Sequence, residues 1–187
     1  QSCRVRDRFQ PTTNSVRWTV VVEAEGEAWT TPVTMSLTFD DPEGMRQWRP
    51  GVGSDQEGWM DPLETTAPVA GEWYYGRHQG VSLPMATMLR PDKDAAISLV
   101  NSPDELQLVL HVHTLTDGVA LVHSDHRFGE GRQVKFAADI VAHPADPRGG
   151  LKWITERYPT YFNPPNEAVQ QMAGCGAYSA YDQVPDV

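Results

Sequence analysis

Six segments of the chain have the pattern of strands, four of them with alternating apolar and polar residues (15–23, 31–39, 105–114 and 132–142), and glycine and proline, 15 of each, separate them. The segments are 15–23, 31–39, 95–100, 105–114, 119–126 and 132–142. Successive side chains of a strand point to opposite faces, so a period of two predicts strands that bury one face. In the last segment, for example, Val134, Phe136, Ala138 and Ile140 share one side.

A helical pattern appears only near the C-terminal end. The segment 151–158 places Leu151, Ile154 and Tyr158 on one helical face, and 167–172 is a second, shorter candidate. Strands followed by one or two helices, without regular alternation of the two, are typical of antiparallel architectures. We therefore predict a mainly β fold, an antiparallel two-sheet sandwich of the supersandwich type with a C-terminal linker helix.

The predicted sandwich covers 1–145, and 146–187 form the helical linker and a tail that leads towards a missing domain. Inside the sandwich, 41–80 keep no period and are rich in tryptophan, proline, glycine and aspartate. An irregular stretch of this length is either a functional excursion or a poorly ordered segment. The segment 5–10 resembles the end of a strand whose partner is missing, and the chain starts at Gln1, so we expect a part of a longer protein.

Composition and charge exclude several classes of partner. The 187 residues carry a formal net charge of -10, and an acidic surface repels phosphate backbones, so we expect no nucleic-acid partner. No apolar run approaches the roughly 20 residues that cross a bilayer, so we expect no membrane partner. Cys3 and Cys175 form either a disulfide or two free thiols, and both alternatives stay open. We expect an extracytoplasmic or secreted protein rather than a cytoplasmic one.

Aromatic and polar residues concentrate in the irregular stretch and form the candidate sugar-binding set. These residues are Trp48, Trp59, Glu72, Trp73, Tyr74, Tyr75, Arg77 and His78. Sugars present apolar C–H faces and hydroxyl groups, which suit flat aromatic rings flanked by polar groups. The alternative is that these aromatic side chains pack over the edges of the sheets.

Histidines on two neighbouring strands form a candidate metal site. If the strands pair through the turn at 114–118, His111, His113, His123 and Asp125 come close enough to bind zinc. The alternative is a set of solvated histidines on a polar face. A second acidic group, Asp40, Asp41 and Glu43, is a weaker calcium candidate or a solvated turn. We predict that the chain requires no cofactor. If it does bind a metal ion, zinc and calcium are the two candidates.

Motifs of nucleophilic catalysis and phosphate binding are absent from the sequence, and no pair of carboxylates is distinguished by its surroundings. We therefore assign no catalytic residue.

Three segments resemble a known family. They are an apolar strand with an internal proline at 81–86 followed by 95–99, a glycine turn at 128–132 (Phe-Gly-Glu-Gly-Arg), and a helix at 147–162 that ends in Tyr-Pro-Thr-Tyr-Phe. The stretch 74–162 thereby resembles the galactose-mutarotase-like supersandwich domain that precedes the catalytic (β/α)8 barrel of several large glycoside hydrolases.

The resemblance implies a non-catalytic domain of a carbohydrate-active enzyme that packs on a barrel and contacts sugar. The expected partners are carbohydrate and the missing catalytic domain, or another copy of the chain, bound through the linker helix. The expected interface residues are Leu151, Trp153, Ile154, Tyr158, Tyr161 and Phe162. Two alternatives stay open: an independent carbohydrate-binding module, and a small mutarotase-like epimerase that uses a histidine and a carboxylate as acid and base.

Overall fold

The computed structural model describes residues 2–51, 63–75, 80–105, 109–163 and 166–171. The strands are β1 (Ser2–Pro11), β2 (Val16–Glu25), β3 (Trp29–Thr38), β4 (Arg46–Trp48), β5 (Gly71–Tyr74), β6 (Met85–Arg90), β7 (Ala95–Asn101), β8 (Leu110–Thr114), β9 (Gly118–Phe128) and β10 (Arg132–His143). The helices are α1 (Arg148–Arg157), α2 (Pro159–Phe162) and α3 (Glu167–Gln171), and a 3-10 turn covers Pro91–Lys93.

The strands form two antiparallel sheets. The six-stranded sheet has the order β1-β2-β10-β7-β6-β4, and the four-stranded sheet has the order β3-β9-β8-β5. This architecture confirms the predicted mainly β, two-sheet fold with a short C-terminal helix. It also adds strands β4 and β5 to the stretch 41–80, which the sequence pattern had left irregular.

The main core lies between the two sheets and is built by the alternation seen in the sequence. Val20 and Val22 of β2 and Phe136 of β10 face Met35 and Leu121 of the other sheet, and all five are at most 5% exposed. In β2 and β3 every second residue enters this layer, whereas β6 is buried on both of its faces. Burial of such side chains, at about 25 cal/mol per Å² of apolar surface, is the main stabilising contribution.

Helix α1 packs on the outer face of the six-stranded sheet. Trp153, Ile154 and Tyr158 are at most 8% exposed and form a second apolar cluster with sheet residues such as Met85 and Val141. A β-carbon at Gly150 would lie only 2.5 Å from both the Met85 and the Ser98 side chains, so glycine permits this close approach.

The position of α1 corrects the expectation that its apolar face lies open for another domain. The side chains of Trp153, Ile154 and Tyr158 are already buried by this chain's own sheet, and Leu151 is partly buried against the same cluster. An amphipathic helix covers the nearest apolar face, and here that face is intramolecular. Tyr161, at 57% exposure, and Phe162, at 37%, are the two predicted interface residues that remain exposed.

Strand β1 corrects a second expectation, because its partner is present. All ten residues pair with β2, with Val5 opposite Val22 and Phe9 opposite Trp18. The strand is nevertheless exposed throughout, since the four-stranded sheet ends at β3 and, among the described residues, no strand lies opposite β1. Cys3 is an exposed thiol on this strand, and Cys175 lies outside the described residues.

None of the helices in the described parts of the chain has the length and apolarity that a membrane crossing requires.

Candidate functional site

The candidate site lies on the outer face of the four-stranded sheet, where β5 and β8 pair. In this antiparallel register Glu72 is opposite His113, and Tyr74 is opposite His111. Residues that are directly opposite share a face, and residues two apart in a strand share it as well. The strand geometry therefore brings these four side chains together, although β5 and β8 are about forty residues apart in sequence.

One carboxylate oxygen faces both imidazoles. Glu72 Oε1 forms a short hydrogen bond with His111 Nδ1, and it lies 3.8 Å from His113 Nε2. One donor atom from each of the three residues lies within 4.8 Å of the other two. In the described residues this is the group whose spacing suits a metal ion.

Tyr74 covers part of this cluster. Its ring centroid lies 4.1 Å from that of His111, which explains why His111 is only 7% exposed on an outer face. Tyr74 itself is 37% exposed, and Tyr75, just after the strand, is 44% exposed. Aromatic surface open to solvent therefore adjoins polar groups that point the same way.

Burial affects the protonation of the second histidine. Desolvation lowers the pKa of His113 below its ordinary value, while the nearby Glu72 carboxylate acts in the opposite direction. A neutral imidazole is favoured by this environment, and neutral imidazole is the form that binds metals and accepts protons.

The two tryptophans of the predicted sugar-binding set that the structure describes do not lie on this surface. Trp48 is 3% exposed and belongs to the cluster beneath α1. Trp73 points to the inner face, packs against the main core, and carries the Arg49 guanidinium 3.3 Å from its ring centroid. The prediction that these two rings contact sugar is corrected by the burial of Trp48 and by the inward direction of the partly buried Trp73. Trp59, Arg77 and His78 lie outside the described residues.

The predicted metal site is corrected in its membership. The pairing of β8 with β9 is as expected, but it sets His123 opposite Leu110, which places His123 on the core face rather than beside His111 and His113. His123 is fully buried and packs on Phe136, with ring centroids 4.7 Å apart. Successive residues of a strand point to opposite faces. His123 is paired with Leu110, which points into the core, so the His123 side chain points into the core as well.

Glu72 is the carboxylate that the sequence reasoning assigned to sugar rather than to metal. Asp125, the predicted carboxylate ligand, is exposed and adopts a positive φ of 59° at an irregular point of β9. The sequence marks Glu72 only by its position among aromatic residues. Nothing in the local sequence indicates that β5 pairs with β8, so it does not predict that Glu72 lies beside the histidines.

In the weaker calcium candidate, the structure pairs one of the three acidic residues with an arginine. Asp41 Oδ2 accepts a hydrogen bond from Arg90 at 3.0 Å, and this bond lowers the pKa of the carboxyl group below its ordinary value. The counter-charge for Asp41 is thus an arginine of β6.

Comparisons with known proteins add little to this geometry. No protein-family model matches the chain, and no curated protein sequence matches it. A structure similar to this chain is that of the Slr1438 protein from Synechocystis sp. PCC 6803, with 13% sequence identity and a TM-score of 0.41. The similarity covers 76% of this chain and 55% of the length of the Slr1438 chain. Similarity at this level gives no information about function.

Proposed function

We propose that this chain is a non-catalytic, carbohydrate-binding β-sandwich of a carbohydrate-active enzyme, and that sugar binds on the outer face of the four-stranded sheet. One observation carries the proposal: the exposed ring of Tyr74 lies in the same patch as the polar atoms of Glu72, His111 and His113. An aromatic face supplies contact area for sugar C–H groups, and the carboxylate and imidazoles orient hydroxyl groups.

The far edge of the same sheet carries hydroxyl groups. In β3, Thr34, Ser36 and Thr38 are exposed and share the outer side with Ala120 and Val122 of β9. Ala120 and Val122 are only 2% and 8% exposed, so these hydroxyl groups form a patch separate from the one around Tyr74. The proposed sugar site is therefore the patch at β5 and β8.

Packing on a catalytic domain is the second part of the proposal. It is supported by the exposed rings of Tyr161 and Phe162, which follow α1 directly. The other members of the predicted interface are covered by the chain's own sheet, so the surface offered by the linker is small. The sugar-binding face lies on the opposite sheet from α1, and the two roles use different surfaces.

The first test is a glycan panel followed by calorimetry on the ligands that bind. We expect Tyr74→Ala to weaken binding at least tenfold, because the variant loses the stacking surface. Tyr161→Ala is the matched control, since it removes an exposed tyrosine from a helix on the other side of the protein, and it should bind like the wild type. Thermal melting of both variants verifies folding. The proposal is wrong if the wild type binds no glycan of a broad panel.

A small mutarotase-like epimerase is a second candidate, favoured by the contact between Glu72 and His111. Interconversion of anomers requires a base that takes the proton of the anomeric hydroxyl and an acid that protonates the ring oxygen as the C1–O5 bond breaks. We expect anomer interconversion above the buffer rate in a polarimetric assay, with loss of the excess in Glu72→Gln. An unchanged buffer rate excludes this candidate and leaves sugar binding intact.

A further inference from the structure

We infer that Glu72, His111 and His113 form a binding site for a divalent transition-metal ion, with zinc as the best match. This inference goes beyond carbohydrate binding and does not depend on it. It starts from backbone geometry: the two histidines occupy alternate positions of β8, and β5 sets Glu72 directly opposite His113. A His-x-His pair with a facing carboxylate is thus held by paired strands, which are more rigid than loops.

The distances between the donor atoms fit one ion. In a tetrahedral zinc site with bonds of about 2.1 Å, ligand atoms lie about 3.4 Å apart. Here Glu72 Oε1 is closer than that to His111 Nδ1 and lies 3.8 Å from His113 Nε2, and all three donors are within 4.8 Å of one another. Glu72 is exposed, so a turn of its side chain has room to bring its carboxylate to similar distances from both nitrogens.

An independent observation points to a ligand at the same place. The Nε2 atom of His113 is buried and makes no hydrogen bond to any residue in the described part of the chain. A buried polar atom without a hydrogen-bond partner is destabilising, so folded proteins contain few of them. This nitrogen points towards Glu72, the residue that would share the metal.

The chemistry of the donors selects the class of ion. Two imidazoles and one carboxylate suit zinc and its neighbours among the transition metals, whereas calcium prefers six to eight oxygen ligands. The donor set therefore favours zinc over the calcium alternative. Three protein ligands leave a further coordination position, and access for water or a ligand oxygen is from the side of Glu72, whose side chain is 48% exposed. The net charge of -10 also favours attraction of a divalent cation.

The test uses zinc itself, with the untagged protein stripped by a chelator and no glycan present. We expect one zinc ion per chain by calorimetry or by competition with a chromophoric chelator. Both His113→Gln and Glu72→Gln should weaken binding at least tenfold, because each removes one of three ligands. Cobalt is a second probe: the wild type should show the visible absorption bands of a bound, low-symmetry Co²⁺ ion, and the two variants should lose them.

His126→Gln is the matched control, because this half-buried histidine lies in β9, where its ring packs against Phe136, and it does not belong to the Glu72 cluster. It should bind zinc like the wild type, and near-ultraviolet circular dichroism of all variants verifies folding. The inference is overturned if the wild type takes up no zinc, or if His113→Gln binds it with wild-type affinity. Since no sugar enters the experiment, its outcome is separate from that of the glycan panel.

Discussion

Three histidines within thirteen residues show how a side chain's direction sets its chemistry. His111 and His113 lie on the outer face of the four-stranded sheet beside Glu72, whereas His123 points into the core and packs on Phe136. Desolvation, and to a smaller extent the neighbouring His126, lowers the pKa of His123 to about 4. The same residue type is therefore a candidate ligand on one face and a neutral core residue on the other.

The buried His123 predicts a dependence of stability on pH. Its pKa is about 6.5 in the unfolded chain and about 4 in the native state, so the unfolded state binds more protons between these values. The contribution of His123 to the free energy of unfolding is therefore complete near pH 7 and decreases as the pH drops from 6.5 towards 4. The expected loss between pH 7 and pH 4.5 is on the order of 2 kcal/mol from this group.

The measurement is urea denaturation of the wild type and of His123→Gln at both pH values. The variant lacks the titrating group, so the difference in unfolding free energy between the two pH values should shrink by that amount. A lower stability of the variant at pH 7 is expected from repacking and does not affect the comparison. An identical pH dependence in both proteins contradicts the prediction.

At the scale of elements, the attachment of α1 to the six-stranded sheet is decided by polar contacts as well as by its apolar face. The Tyr158 hydroxyl, just after α1, donates a hydrogen bond to Asp139 Oδ2 at 3.0 Å. Arg17 Nη1 of β2 donates to the same carboxylate oxygen at 3.1 Å and to Tyr158 at 2.9 Å. Asp139 is 2% exposed, so its charge depends on these partners.

Removal of the Tyr158 hydroxyl tests this attachment. Tyr158→Phe keeps the ring in the cluster beneath α1 but removes a hydrogen bond to a buried carboxylate, a type of bond that contributes about 1.5–3 kcal/mol. We expect a loss of that order in the unfolding free energy and faster amide hydrogen exchange in α1. Tyr161→Phe, at an exposed position of α2, is the control and should leave both quantities unchanged. Equal stability of Tyr158→Phe and the wild type would argue against a structural role for the hydroxyl.

For the molecule as a whole, the unequal width of the two sheets determines where surface is left open. The six-stranded sheet extends past the four-stranded one, so the inner side of β1 faces solvent with Val5 at 53% and Phe9 at 56% exposure. A cleft of about 440 Å³ lies between β1, β2 and the edge strand β3. The Phe9 ring stacks on Trp18, and Asp7 accepts a hydrogen bond from the Trp18 indole, which stabilises this open side.

Much of the candidate site was named from sequence, but not its arrangement. The sequence indicates four residues of this site by their chemistry, namely Glu72, Tyr74, His111 and His113. It places Glu72 in the sugar-binding set and not in the metal site, and it wrongly adds His123 to the metal site. The signals for selecting them were local, namely aromatic density and alternate histidines. The contact between Glu72 and His111 joins residues 39 apart, and no local pattern specifies which strand a short segment such as β5 pairs with.

The sequence by itself determined the fold class and the strands with clear alternation, because the period of two in β2, β3 and β10 is a local property that burial of one face imposes directly. Tertiary structure alone decided which faces meet. It placed α1 on its own sheet, since the nearest apolar surface in the chain was the one available for burial, and it set Glu72 beside two histidines. Strand partners and registers result from the packing of the whole core, to which residues distant in sequence contribute together.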